Sequence, residues 1–195
     1  MKGLARFLEK EGYKVLNLDY PSSRHSIENI AELIHAPIKE FANQINALHF
    51  VGYSMGGLVI RAYLTKYRPT ILNRVIMLGT PNQGSEISDF LKDNWIYKKL
   101  YGPAGQQLIT DQTEFKDIFG QVDYELGVIA GESTFYWLGS KIINKLSDGR
   151  VAISNTHLDG LKELIVIKSG HTLLPNNKQA WEHTLSFLKH GKFIP

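Results

Sequence analysis

No cysteine occurs anywhere in the 195 residues. Disulfides, thiolate metal sites and a cysteine nucleophile are thereby excluded together, and a reducing, cytoplasmic setting is favoured. Charge of one sign is also scarce, since 22 basic against 19 acidic residues leave a net +3. The basic residues are scattered. Their densest spots, Lys98-Lys99 and Lys189-His190-Lys192, read as solvated helix faces, so no nucleic-acid partner is expected. Long hydrophobic runs are missing too. No stretch approaches the roughly 20 residues that span a bilayer, so no integral membrane segment is expected, and no signal peptide opens the chain. Neither HExxH, calcium-loop spacing nor Gly-x-x-x-x-Gly-Lys occurs, so neither a metal nor a cofactor is expected. What remains, 43% hydrophobic and 21% charged, suits one domain with a full core over 1–195.

Strand-like and helix-like stretches alternate along that length. Residues 2–11 read as a helix with Leu4, Phe7 and Leu8 on one face, stopped at Gly12. Tyr13 to Asp19 reads as a strand. Ser26 can cap a long helix whose apolar positions, from Ile27 through Ile34 and Ile38 to Ile45, step by three and four, with a bend or break expected at Pro37. Further strands are read at 48–53, 74–78, 126–130 and 163–168, and a closing helix at about 177–190 with Gly191 as its stop. The strands are continuous apolar runs, not alternating ones. That pattern predicts an α/β fold, a mostly parallel sheet with helices on both faces. Residues 86–125 are the least regular part, rich in aromatics (Phe90, Trp95, Tyr97, Tyr101). They read either as a small lid or acyl-binding wall, or as an ordinary packed excursion.

The most informative stretch is LHFVGYSMGGLVIRAYL, residues 48–64. An apolar run enters Gly52-Tyr53-Ser54-Met55-Gly56 and a helical pattern begins directly beyond it. Gly-x-Ser-x-Gly between a strand and a helix is a sharp turn that leaves a serine hydroxyl exposed at the bend, with Gly52 and Gly56 giving the two backbones room to approach. The pattern alone is weak; the strand before it and the helix after it make it specific. The helix N-terminus past Ser54 also directs backbone N–H groups at any negative charge that forms there.

A serine hydroxyl becomes a nucleophile when an imidazole takes its proton and a carboxylate orients that imidazole. In open α/β sheets such groups gather beyond the carboxyl ends of strands. His171 directly follows the run ELIVIK and is the preferred base. His25 and His35 precede the serine, His49 begins a strand, His183 and His190 lie on the last helix, and His157 reads as a surface residue. For the acid, Asp148 in the turn Ser-Asp-Gly-Arg is preferred over Glu132, which ends the strand before it.

With these residues in this order, the chain resembles the α/β-hydrolase superfamily, in particular small bacterial lipase- or esterase-like members. Beyond GYSMGG (52–57), the stretches LNLDYPS (16–22), LGTPNQGSE (78–86), YGPAGQQL (101–108), ELGVIAGE (125–132) and SDGRV (147–151) carry the likeness. The resemblance implies Ser54 as nucleophile, Asp148 as acid and His171 as base, with the backbone N–H of Met55 as an oxyanion donor. It implies hydrolysis of small-molecule or lipid esters through an acyl-enzyme, without a cofactor. Acyl transfer would use the same residues, and a hydrolase-like fold serving as a non-enzymatic binding module is the other reading. No motif indicates an oligomeric state.

One departure from the family is large. Its members open with a strand ending in His-Gly, whose loop supplies a second oxyanion N–H, whereas this sequence opens at the helix that follows, Met1-Lys2-Gly3-Leu4. In the family's sheet that strand lies between the counterparts of 13–19 and 48–53. An N-terminally truncated fold of this kind implies unpaired ladders or a gap of roughly 10 Å. Three explanations stand. Met1 is an internal methionine of a longer chain, which is favoured and leaves room for an upstream signal peptide and secretion; the shortened sheet has closed up; or a partner chain supplies the strand.

Overall fold

The computed structural model describes residues 1–91, 93, 102–110, 118–133, 143 and 145–195. The chain begins with α1 (Lys2–Lys10), which buries Leu4 and Leu8 one turn apart and ends before Gly12, a residue at φ +90 that only glycine adopts freely. Helices α2 (Ile27–Leu33) and α3 (His35–Ala42) follow. Ser26 caps α2 by accepting the Asn29 N–H. The predicted single helix is therefore two, and the break falls at Ile34, three residues before Pro37. A proline ring collides with the carbonyl four residues earlier, which is that of Leu33. Restarting at His35 places Pro37 in the first turn of α3, where no N–H is needed.

Among the described residues, four strands form one parallel sheet in the order β1 (Leu48–Tyr53), β2 (Leu72–Leu78), β3 (Glu125–Glu132) and β4 (Glu163–Lys168). Between them run α4 (Met55–Tyr67), α5 (Glu86–Leu91) and the single turn α6 (Ile153–Thr156), and α7 (Lys178–His190) closes the chain. Alternate side chains of each strand go to opposite faces. Val75 and Met77 of β2 join Leu126 and Val128 of β3 under α2 and α4, together with Ile30, Leu58 and Tyr63. Ile76 and Leu78 join Ile129 and Ile167 under α1 and α7, with Leu4, Leu8 and Phe187. Both faces are thus covered, as the apolar runs predict. Asn177 caps α7 through two N–H groups, and Gly191 ends it in the left-handed conformation at φ +68.

The expected strand Tyr13–Asp19 is not a strand. The segment makes no ladder; it and β1 line a cavity of about 790 Å³, at the place where the sequence reading expects a gap. Leu16, Leu18, Ile38, Phe41 and Phe50 line it, and it extends to Tyr20, Ser54 and Met55. A strand exists only through the neighbour that accepts its hydrogen bonds, and ladder spacing is about 4.8 Å. Trp95, Tyr97 and Tyr101, and with them much of the 86–125 stretch, lie outside the described residues.

Candidate active site

The turn at Ser54 is a constrained point of the backbone. Ser54, not a glycine, stands at φ 53 and ψ −127, in the range that favours glycine. Such backbone costs of order 1–3 kcal/mol and persists only where its surroundings enforce it. Here the Ser54 N–H donates to the Leu78 carbonyl at 2.8 Å, and the Ser54 carbonyl accepts from Gly57 N–H at 3.1 Å and from the Thr80 hydroxyl at 3.0 Å. A methyl group on Gly52 would stand 2.7 Å from the Gly57 nitrogen, and one on Gly57 would stand 2.1 Å from Thr80 Oγ1. Gly56, given the same role from sequence, is less crowded: its nearest neighbour would be the Tyr20 hydroxyl at 3.4 Å. The glycines that crowding demands are therefore 52 and 57.

His171 opens a 3₁₀ helix (His171–Asn176) immediately beyond β4. Its side chain is 4% exposed. Its Nε2 lies 2.9 Å from Ser54 Oγ, and its Nδ1 lies 2.7 Å from Asp148 Oδ2. Asp148, 1% exposed, sits in the turn between β3 and α6. Its other oxygen accepts the N–H groups of Arg150 at 2.9 Å and Val151 at 2.8 Å, which aims the carboxylate at the ring. The His171 N–H donates to the Asp148 carbonyl at 2.9 Å, tying the two loops together. With Nδ1–H donating to the carboxylate, Nε2 is left to accept from the serine hydroxyl. Three residues 117 and 23 positions apart in sequence thus meet in one hydrogen-bonded line. Glu132 ends β3 opposite Lys168, so the acid that reaches the ring is Asp148. Met55 is the first residue of α4, where N–H groups have no partner within the helix.

Several residues of this neighbourhood had no sequence signal of their own. The Tyr53 hydroxyl donates to the His171 carbonyl at 3.0 Å, with the two rings 5.2 Å apart. Arg61 of α4 is buried, and burial draws its guanidinium down to about 10, so it remains charged. It donates to the carbonyls of Asn82 and Phe119 at 3.2 Å each and lies over the Phe119 ring. Asn82 in turn donates to the Thr156 carbonyl, the Gln83 N–H donates to the Asn155 carbonyl, and the Ser85 hydroxyl donates to the Arg150 carbonyl. The loop after β2 is thereby stitched to the turn carrying Asp148. The polar run Thr80–Gln83 straight after an apolar strand is the signal that could have drawn attention to it.

The other histidines lie elsewhere: His25 is half-buried ahead of α2, His35 stacks on Tyr67, His49 lines the cavity, His183 packs against Phe193, and His157 and His190 are exposed. Among the described residues no group of three or more His, Asp or Glu is placed to hold a metal, and no helix is long and apolar enough to cross a membrane.

A family model described as palmitoyl protein thioesterase matches residues 1–125, the part that includes Ser54. Two triacylglycerol lipases, from Pseudarthrobacter phenanthrenivorans and Burkholderia plantarii, are each 32% identical over 95 residues, 47% of this chain. That stretch is 30% and 26% of their lengths, so the chain spans less than a third of these curated relatives. Among solved structures, the mature Bacillus licheniformis lipase BlEst2 superposes with a TM-score of 0.72 at 21% identity, over 87% of this chain and 76% of that one. The metagenomic carboxyl esterase MGS0156 gives 0.66 at 16% identity, over 80% and 54%. These likenesses show the fold, that of the α/β-hydrolases.

Proposed function

Because the chain belongs to the palmitoyl protein thioesterase family and folds as an α/β-hydrolase, we propose that it cleaves carboxylic esters, thioesters included, through an acyl-enzyme on Ser54. The observation that carries this reading is the unbroken line of hydrogen bonds from Asp148 through His171 to the strained serine. Ser54 Oγ attacks the acyl carbonyl carbon while its proton passes to His171 Nε2. The imidazolium is stabilised by Asp148, whose two backbone donors keep its carboxylate facing Nδ1. The negative oxygen of the tetrahedral intermediate faces the Met55 N–H at the start of α4. Collapse expels an alcohol or thiol, which receives the proton from Nε2. Water then repeats the attack and releases the acid.

A fluorophosphonate probe, which forms a covalent adduct with an activated serine, tests the reading. The wild-type chain is expected to label and Ser54→Ala to remain unlabelled. A folded wild-type protein that takes no label would overturn the proposal and leave the binding-module reading in its place.

A further inference from the structure

The imidazole of a serine hydrolase serves two atoms in turn. Nε2 of His171 takes the proton from Ser54 Oγ and then gives it to the leaving oxygen or sulfur, so the ring must stand within reach of both. The Nδ1 end of the ring is fixed by Asp148 Oδ2 at 2.7 Å. The backbone that carries the ring is held separately. His171 opens a 3₁₀ helix of six residues, and Pro175, four positions on, has no N–H to give the His171 carbonyl. Support comes from two other segments. The His171 N–H donates to the Asp148 carbonyl at 2.9 Å, and the His171 carbonyl accepts from the Tyr53 hydroxyl at 3.0 Å. Tyr53 is the last residue of β1, paired with Leu78 of β2, and directly precedes the nucleophile. Its ring also packs against the imidazole, with centroids 5.2 Å apart and planes inclined by 39°.

Resting on the hydrolase reading, we infer that Tyr53 is a positioning residue for His171, its hydroxyl pinning the base's backbone to the strand that presents the serine. The turn that carries the acid holds the N–H of His171, and the strand that leads to the nucleophile holds its carbonyl. The separation of 2.9 Å between Nε2 and Ser54 Oγ is thereby set from both neighbours of the ring. A group on a paired strand is placed more precisely than one on a loop, which suits Tyr53 to this role. It acts through the ring of His171, on the transition state and not on substrate binding. A misplacement of about 1 Å at a reacting group can cost about 10² in rate. That cost is largest where Nε2 must hand its proton to a basic leaving group, since an alkoxide departs with a proton and a weakly basic phenolate departs without one.

Tyr53→Phe keeps the packed ring and removes the hydroxyl alone. Wild type and variant are compared below their unfolding temperatures on two esters of one acid, an alkyl ester and a p-nitrophenyl ester. For the alkyl ester, kcat/KM of Tyr53→Phe is expected to fall about tenfold with KM nearly unchanged, and the fall to exceed that for the aryl ester by about threefold or more. A purely structural loss removes active protein and lowers both esters alike. If hydrolysis by the wild type depends on Ser54 while the two losses differ by less than about threefold, the assignment of Tyr53 is overturned and the hydrolase reading stands. A loss carried by KM marks a binding role and overturns the assignment as well. Wild-type protein without Ser54-dependent turnover or fluorophosphonate labelling overturns both.

Discussion

Asp148 and Glu132 are both carboxylates near the end of β3, and only side-chain geometry separates them. Asp148 holds two backbone N–H groups on one oxygen and the His171 ring on the other, whereas Glu132 is a ladder residue beside Lys168. An amide in place of the acid presents an N–H₂ to Nδ1 and favours the tautomer in which Nε2 already carries the proton and cannot take one from Ser54. Asp148→Asn is therefore expected to lower kcat by about 10⁴, and Glu132→Gln to leave it nearly unchanged. Steady-state ester hydrolysis by the two variants reads this directly; a large loss in Glu132→Gln would transfer the role. The strained backbone of Ser54 belongs to this scale too. It holds the hydroxyl where the ring of His171 can meet it, and Thr80, Leu78 and the two crowded glycines enforce the position.

At the scale of elements, the helix that follows the nucleophile is anchored at its middle by a buried guanidinium. Arg61 has no carboxylate partner among the described ion pairs; two backbone carbonyls and the face of Phe119 receive its charge. Hydrogen bonds to a charged group contribute about 1.5–3 kcal/mol, and deleting this donor also leaves the Asn82 and Phe119 carbonyls buried without it. Arg61→Ala is expected to lower unfolding free energy by about 2–4 kcal/mol, read as a lower urea midpoint at unchanged slope. Which elements form was largely legible in the sequence, because apolar periodicity and end signals such as Ser26 and Gly191 act locally. What was not legible depends on neighbours. Residues 13–19 have strand composition but no ladder; they and β1 line a cavity. The helix break fell at Ile34 because the proline acts on the turn before it.

For the whole molecule, pH acts through two histidines that the mechanism does not use, His49 half-buried and His183 buried. Burial lowers the pKa of His49, with the nearby Arg74 adding to the effect, and burial lowers that of His183; each has an Nδ1 shut away without a partner. Both take up a proton less readily in the fold than in the unfolded chain, where the ordinary value is 6.5. Below that value the unfolded state binds more protons, so stability falls as pH drops from about 6.5 toward the folded pKa values and levels off beneath them. Glu125 acts in a separate, more acidic window. Hydrogen bonds from Lys162 and then Arg74 lower its pKa, so its contribution is present above the ordinary 4.5 and is lost as pH falls below it. Urea midpoints are expected to decline between pH 7 and 5 in the wild type and less steeply in His49→Gln/His183→Gln. A flat wild-type profile over that range contradicts the assignment.

Local chemistry was written in the order of residues: continuous apolar strands that call for a parallel sheet, a small-residue turn that exposes a serine, an acid and a histidine placed after later strands. These follow from spacing, side-chain size and backbone preference, which act over a few neighbouring positions. Tertiary structure decided which carboxylate reaches the imidazole, which glycines are crowded, that the Tyr53 hydroxyl meets the His171 carbonyl, and that 13–19 joins no ladder. Those outcomes depend on where separate loops arrive once the strands lie side by side, and no short stretch of sequence carries that distance.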